Sequence, residues 1–212
     1  MTFLYLAHYT NRAIITPLFL APSMSPIHPT VAASMVIFQY FNSSVLACWL
    51  VYTHHDYVLG SVQLPNTHSP LAFAGLVVFL LGAAGNISSE NALFSLRRAA
   101  ARRKAKAEGK AQITYSKVYV VPPVEGYFSR VLYPHYSLEW LEWMGYWILG
   151  GACGLGWGTG FTGYAKCSGA LWFLFMEISV MLPRAVKGLT WYEQKFGKRA
   201  LAGRKAAIPG VI

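Results

Sequence analysis

Apolar residues run along this chain in long stretches, and polar residues gather mainly in the connections between them. "TVAASMVIFQYFNSSVLACWLVYT", Thr30 to Thr53, and "SPLAFAGLVVFLLGAAGNI", Ser69 to Ile87, carry no charge. Each is long enough to cross a hydrocarbon core of about 30 Å as a helix. Trp143 to Tyr164 is a third apolar run, rich in glycine, a residue that lets helices approach closely in lipid. Ser168 to Leu182 is a fourth, short and holding Glu177. The N-terminal stretch is apolar but broken by His8, Tyr9, Asn11 and Arg12. It lacks the basic start and small-residue cleavage site of a signal peptide, so it reads as a first span. The pattern predicts an all-α, polytopic membrane helix bundle of about five spans, near 1–20, 30–53, 69–90, 136–160 and 166–183, forming a single membrane domain.

Composition agrees. The chain has 212 residues, of which 55% are hydrophobic and only 12% charged, against about 25% charged in an ordinary soluble domain. A net charge of +10 raises the question of nucleic acid, but the cations sit between apolar spans rather than on a soluble face, which excludes that partner. Arg97, Arg98, Arg102, Arg103, Lys104, Lys106 and Lys110 crowd a connection near 97–125, and Lys187, Lys195, Lys198, Arg199, Arg204 and Lys205 crowd the tail, 184–212. By the positive-inside rule both are cytosolic, which makes the C-terminus cytosolic and puts the Tyr52–His68 connection on the opposite side. Basic runs of this kind also face membrane lipid headgroups.

Several signals point away from chemistry. Cys48, Cys153 and Cys167 match no metal spacing and read as packing residues, and His28, His54, His55 and His68 have no ligand-spaced partners. The sequons at Asn42 and Asn86 fall inside a span and at a cytosolic end, where glycosylation does not reach. "GGACGLGWGTG" lacks the Lys-Ser/Thr of a phosphate loop and reads as helix packing.

Four polar constellations remain. Asn86, Glu90 and Arg97 fall within about 40° of one another on one helix, at 100° per residue. In "YPHYSLEWLEWMGY", Pro134 suits a first helical turn, and His135, Glu139, Glu142, Trp143 and Tyr146 then share a face. That face is either an interfacial anchor with its carboxylates in water or a ligand-facing stripe. The tail offers Arg184, Lys187, Trp191, Tyr192, Arg204 and Lys205, which suit a membrane-surface helix or a phosphorylated cofactor. His8, Tyr9 and Arg12 lie within about one turn, placing a phenol near a cation, where it reads as a proton donor or as a membrane-interface anchor.

"HYTNRAI" (His8 to Ile14), "GNISSENALFSLRR" (Gly85 to Arg98), "GYFSRVLYPHYSLEWLEWMGY" (Gly126 to Tyr146) and "WYEQKFGKRALAGRKAAIPGVI" (Trp191 to Ile212) together resemble the C-terminal domain of the steroid 5α-reductase family, particularly its fungal members. The resemblance implies a seven-helix membrane fold in the endoplasmic reticulum, of which this chain matches the C-terminal part, with NADPH entering from the cytosol. It implies cofactor contacts at Asn86, Glu90, Arg97, His135, Glu139, Trp143, Arg184, Tyr192 and Arg204. It gives Tyr9 the hydrogen bond to the substrate carbonyl. The implied chemistry is reduction of a carbon–carbon double bond conjugated to a carbonyl: the β-carbon takes hydride while Tyr9 stabilises the developing enolate. The implied substrate is a lipophilic steroid, sterol, polyprenol or enoyl lipid taken from the bilayer.

Two departures stand beside this resemblance. The family pattern has two further helices ahead of this stretch, one bearing a Gln-Glu pair that works with the tyrosine, and this chain starts near the third. "YVVPPVEG", Tyr119 to Gly126, also differs from the family's polar stretch. A catalytically inactive membrane fragment or interaction protein is therefore one alternative. An S-adenosylmethionine-dependent membrane methyltransferase is another, although "YPHYSLEW" reverses the His-Pro order of that class.

Overall fold

Pro29 opens the first long helix, where a missing N–H costs nothing, and His28 caps it: Nδ1 lies 2.8 Å from Thr30 Oγ1 and 3.4 Å from the Thr30 amide. In the computed structural model, which describes residues 1–23, 26–58, 70–150 and 168–211, the helices are α1 (Thr2–Thr10), α2 (Pro29–Val58), α3 (Pro70–Ala107), α4 (Pro134–Leu149) and α5 (Gly169–Phe196). A π-helical stretch, Asn11–Leu20, continues α1 and contains Pro17. A wider turn accommodates a proline that can neither donate its amide nor fit closely against the carbonyl four residues back. No strand occurs among the described residues. The described helices α2, α3 and α5 are long and apolar enough to cross a membrane. Cys153, Cys167, His68, the "GGACGLGWGTG" run and the end of the 136–160 span lie outside the described residues.

α3 is longer than its apolar run. Its 38 residues extend about 57 Å, far beyond a hydrocarbon core, because "SLRRAAARRKAKA" is built from strong helix formers and continues the helix past Ile87. Much of the basic 97–125 connection is therefore helix, stopping before Gly109, whose φ of 62° suits a helix end. α5 likewise carries the start of the tail as far as Phe196.

The chain divides into two compact units. The first comprises Met1, Pro26–Ala83 and Leu138–Met181. Inside it, α3 and α4 meet backbone to backbone along Gly75, Gly82 and Gly145: a Cβ on Gly82 would lie 2.6 Å from Glu142 Cα and 2.8 Å from Leu138 O. Lipid is as apolar as leucine, so small residues that let helices close, rather than exclusion of apolar surface from water, drive this packing. α5 begins against α2 in the same way, with Gly169 facing Trp49. Asn42 Nδ2 on α2 donates to Glu177 Oε1 on α5 at 3.2 Å, which gives the carboxylate of the short fourth run its partner. The exposed Val36, Ile37, Tyr40 and Phe41 on α2 form the apolar surface expected against lipid.

The second unit comprises Thr2–Ser25, Ala84–Ser137 and Leu182–Ile212. Its tail returns to the start of α4, where Leu132 and Tyr133 donate their amides to Lys205 O and Ala206 O at 2.9 and 2.8 Å, and Lys205 donates back to Arg130 O at 3.0 Å. Val131 and Lys205 form a parallel bridge, and Ser137 Oγ donates to Ala207 O.

Candidate functional site

The second unit holds eight of the sequence-derived site residues: Tyr9, Asn86, Glu90, Arg97, His135, Arg184, Tyr192 and Arg204. On α3, Asn86 is 4% exposed, and its side-chain oxygen Oδ1 is buried without a hydrogen-bond partner among the described residues. One turn on, Glu90 receives Arg12 Nη1, at 2.8 Å from Oε1 and 2.9 Å from Oε2. Arg98 donates to Leu20 O, so the N-terminal helix is tied to α3 at two levels. Tyr9 lies one turn before Arg12, with the Tyr5 and His8 rings 4.7 and 5.0 Å from its own. Arg97 sits over the Tyr115 ring at 6.0 Å, a cation–π placement, with no ion-pair partner among the described residues.

Around the start of α4, aromatic rings replace charge. Tyr133, Tyr136, His135 and Tyr192 form a cluster, with Tyr133 and Tyr136 stacked at 5.6 Å and His135 and Tyr136 at 4.5 Å. Tyr133 packs onto the backbone of α5 at Gly188, where a Cβ would lie 2.5 Å from its Cζ. The phenol also lies in a region where its ionised form is poorly solvated. Burial above all, and then the neighbouring Tyr192 and Tyr136 hydroxyls, push the Tyr133 pKa well above the ordinary tyrosine value. A raised folded-state pKa gives stability that is complete below about pH 10 and is lost as the pH rises through the folded value. Melting of the protein in detergent is therefore expected to fall more steeply above pH 10 in wild type than in Tyr133→Phe; identical slopes would show the phenol to be solvated.

Arg204 is held largely by main-chain carbonyls. It is 5% exposed, and its guanidinium donates to Pro122 O at 2.9 Å, Phe128 O at 3.2 Å and Leu201 O at 3.0 Å. Burial holds its pKa below the ordinary arginine value. Tyr192 Oη donates to Val120 O at 3.3 Å, so it too holds the 119–126 stretch. Arg204 also lines an open cleft of about 410 Å³, together with Arg130, Lys205, Ser129, Gly203 and Gly210. Arg184 is exposed on α5.

Glu139 and Trp143 belong to the first unit. Both are buried, at 4% and 1% exposure, as are Glu142 and Tyr146 at 2% and 1%. An interfacial anchor would keep its carboxylates in water, so this burial excludes the anchor reading of α4's face. Trp143 packs its ring 4.5 Å from Phe173 of α5 and 6.3 Å from Phe79 of α3. Glu142 and Tyr133 are the residues that sequence reasoning left without a role. Glu142's burial was signalled by its i+7 spacing from His135, whereas nothing local marks Tyr133, whose setting depends on Gly188 far along the chain.

Three described helices long and apolar enough to span, in an all-helical chain with buried amide and carboxylate side chains, define a membrane helix bundle. The chain belongs to the 3-oxo-5-alpha-steroid 4-dehydrogenase family, whose model matches residues 23–212. It is similar to an uncharacterized protein of Schizosaccharomyces pombe, 33% identical over 97% of this chain and 65% of that protein. It is also similar to the steroid 5-alpha-reductases DET2 of Arabidopsis thaliana, at 31% over 98% of this chain and 67% of the relative, and of Solanum lycopersicum, at 29% over 97% and 66%. The chain thus spans about two thirds of the length of these relatives. The family assignment leaves the methyltransferase alternative without support.

Proposed function

We propose that this chain forms the cofactor-holding part of an NADPH-dependent reductase acting on a carbon–carbon double bond conjugated to a carbonyl in a steroid or similarly lipophilic substrate. The observation that carries this reading is Asn86: a carboxamide oxygen buried near the middle of α3 without a partner among the described residues, on a stripe shared with Glu90 and Arg97. An acceptor left in that state is costly unless a ligand donor completes it. The donor set fits a dinucleotide: Asn86 is complementary to a carboxamide N–H, Arg97 and Arg184 suit phosphate oxygens, and the ring faces of Tyr133, Tyr136 and Tyr192 suit stacking. Bound NADPH supplies hydride.

The chain's own residues have separable tasks. Tyr9 donates a hydrogen bond to the substrate oxygen, stabilising negative charge as it develops there. Glu90 and His135 orient polar groups of the cofactor, and Arg204 and Tyr192, as placed, hold the 119–126 stretch and the tail that border the site. Assignment of Glu139 and Trp143 to the cofactor rests on the family resemblance. The basic end of α3 and the tail suit a cytosolic face, consistent with a multi-pass protein of the endoplasmic reticulum that takes its substrate from the bilayer.

Purified protein in detergent micelles is expected to gain thermal stability with NADPH and not with S-adenosylmethionine. The opposite pattern, or no response to either, sinks the reading. Asn86→Leu is expected to keep or raise the melting temperature, because it removes an unsatisfied buried oxygen, while weakening NADPH about tenfold or more. Loss of stability with unchanged NADPH affinity would make Asn86 purely structural.

A further inference from the structure

The carboxylate of Glu90 is the only acidic group on α3, and it faces a site proposed to take a polyanionic cofactor. Left alone, it would repel that ligand. Its neutralising partner comes neither from the helix's own run of arginines and lysines nor from its sequence neighbours, but from Arg12, 78 residues away, on both carboxylate oxygens. The side chains are 28% and 18% exposed, so solvent screens the pair less than it would on an open surface. The same separation of 78 residues recurs between Leu20 and Arg98. Two contacts with one offset mean that the N-terminal helix and α3 run alongside each other in the same direction over this stretch.

We propose that Arg12 is a positioning residue that cancels the charge of Glu90 and holds the Tyr9 helix against the cofactor-binding face of α3. This rests on the NADPH reading above. Arg12 need not touch the cofactor: with Glu90 neutralised, Asn86, Glu90 and Arg97 present a net positive face to it, and with Arg12 gone the same three groups present no net charge and an uncompensated carboxylate next to the buried amide. The one contact thus serves two ends. It sets the electrostatic sign of the cofactor face, and it fixes where Tyr9, one turn earlier on the same helix, stands along α3.

The test is NADPH titration of the full 212-residue chain in micelles, followed by nicotinamide fluorescence, for wild type, Arg12→Met, Arg12→Lys, Glu90→Gln and the Arg12→Met/Glu90→Gln double variant. Arg12→Met is expected to weaken binding about tenfold or more. The double variant is expected to bind within about threefold of Glu90→Gln, because removing both charges removes the repulsion. Arg12→Lys, which keeps the charge, is expected to stay near wild type. If wild type binds NADPH and Arg12→Met binds it equally, or the double variant remains as weak as Arg12→Met, the proposal is overturned while the cofactor reading stands. Where Arg12→Met alone does not yield monodisperse protein, the double variant and Arg12→Lys decide by the same criteria. If wild type itself does not bind NADPH, the cofactor reading fails and takes this proposal with it.

Discussion

Gly145→Val leaves no folded protein. A Cβ at this position of α4 would lie 2.7 Å from Gly75 O and 2.7 Å from Phe79 Cα, both backbone atoms of α3. Side chains can rotate out of a clash, but a helix backbone cannot, so the two helices must separate. Separation opens the seam that buries Ala72, Phe79 and Trp143, and in lipid there is little else to draw the helices together. The cost is at least about 3 kcal/mol, a large share of the stability of an ordinary domain. Size-exclusion in mild detergent is expected to show aggregated Gly145→Val beside a monodisperse Met144→Val control, since Met144 is exposed. A monodisperse Gly145→Val with the wild-type melting temperature would mean that α3 and α4 do not touch along their backbones.

Arg204→Met unlatches the tail. One guanidinium joins Pro122, Phe128 and Leu201 through their carbonyls, and the methionine side chain can satisfy none of them. Stranding buried acceptors and removing a charged donor costs roughly 3–5 kcal/mol. Lysine is a poor substitute, because a point charge on a flexible stem does not reproduce the planar fork of donors. Rapid proteolysis of the Arg204→Met tail, with α3 to α5 left intact, is the expected result. Lys205→Ala should be nearly silent, within about 0.5 kcal/mol, because the Lys205 bonds to Arg130 and Leu132 are main-chain bonds. A tail equally resistant in Arg204→Met and wild type would show that these carbonyl bonds do not latch it.

These two residues show where sequence reasoning reached its limit. Glycine in the Trp143–Tyr164 run was readable as a close-packing signal, and Gly145 in it meets α3, whereas its partners Gly75 and Gly82 were not marked by the sequence. The start of α4 at Pro134 and the buried face carrying His135, Glu139, Glu142, Trp143 and Tyr146 were also readable, because a 3.6-residue period and a proline's missing donor are local facts. Arg204 was not readable in the same way. Its charge and its place in a basic tail suggested phosphate, and only the return of the tail to residues 130–133 shows that its donors meet main-chain carbonyls. Arg12 belongs with it: the sequence set it beside Tyr9, and the fold gave it Glu90.

By itself, the sequence determined what depends on near neighbours: an all-helical membrane chain, the stripe on α3, the face on α4 and the family motifs that name the class. The tertiary structure decided which polar groups are already satisfied and which are left open. Among the described residues, Arg204 and Arg12 are occupied and the Asn86 oxygen is not. The physical reason is that a charge or an amide in an apolar setting must find a partner at hydrogen-bond distance. Here those partners lie about 80 residues away along the chain, where no periodicity of the sequence reaches.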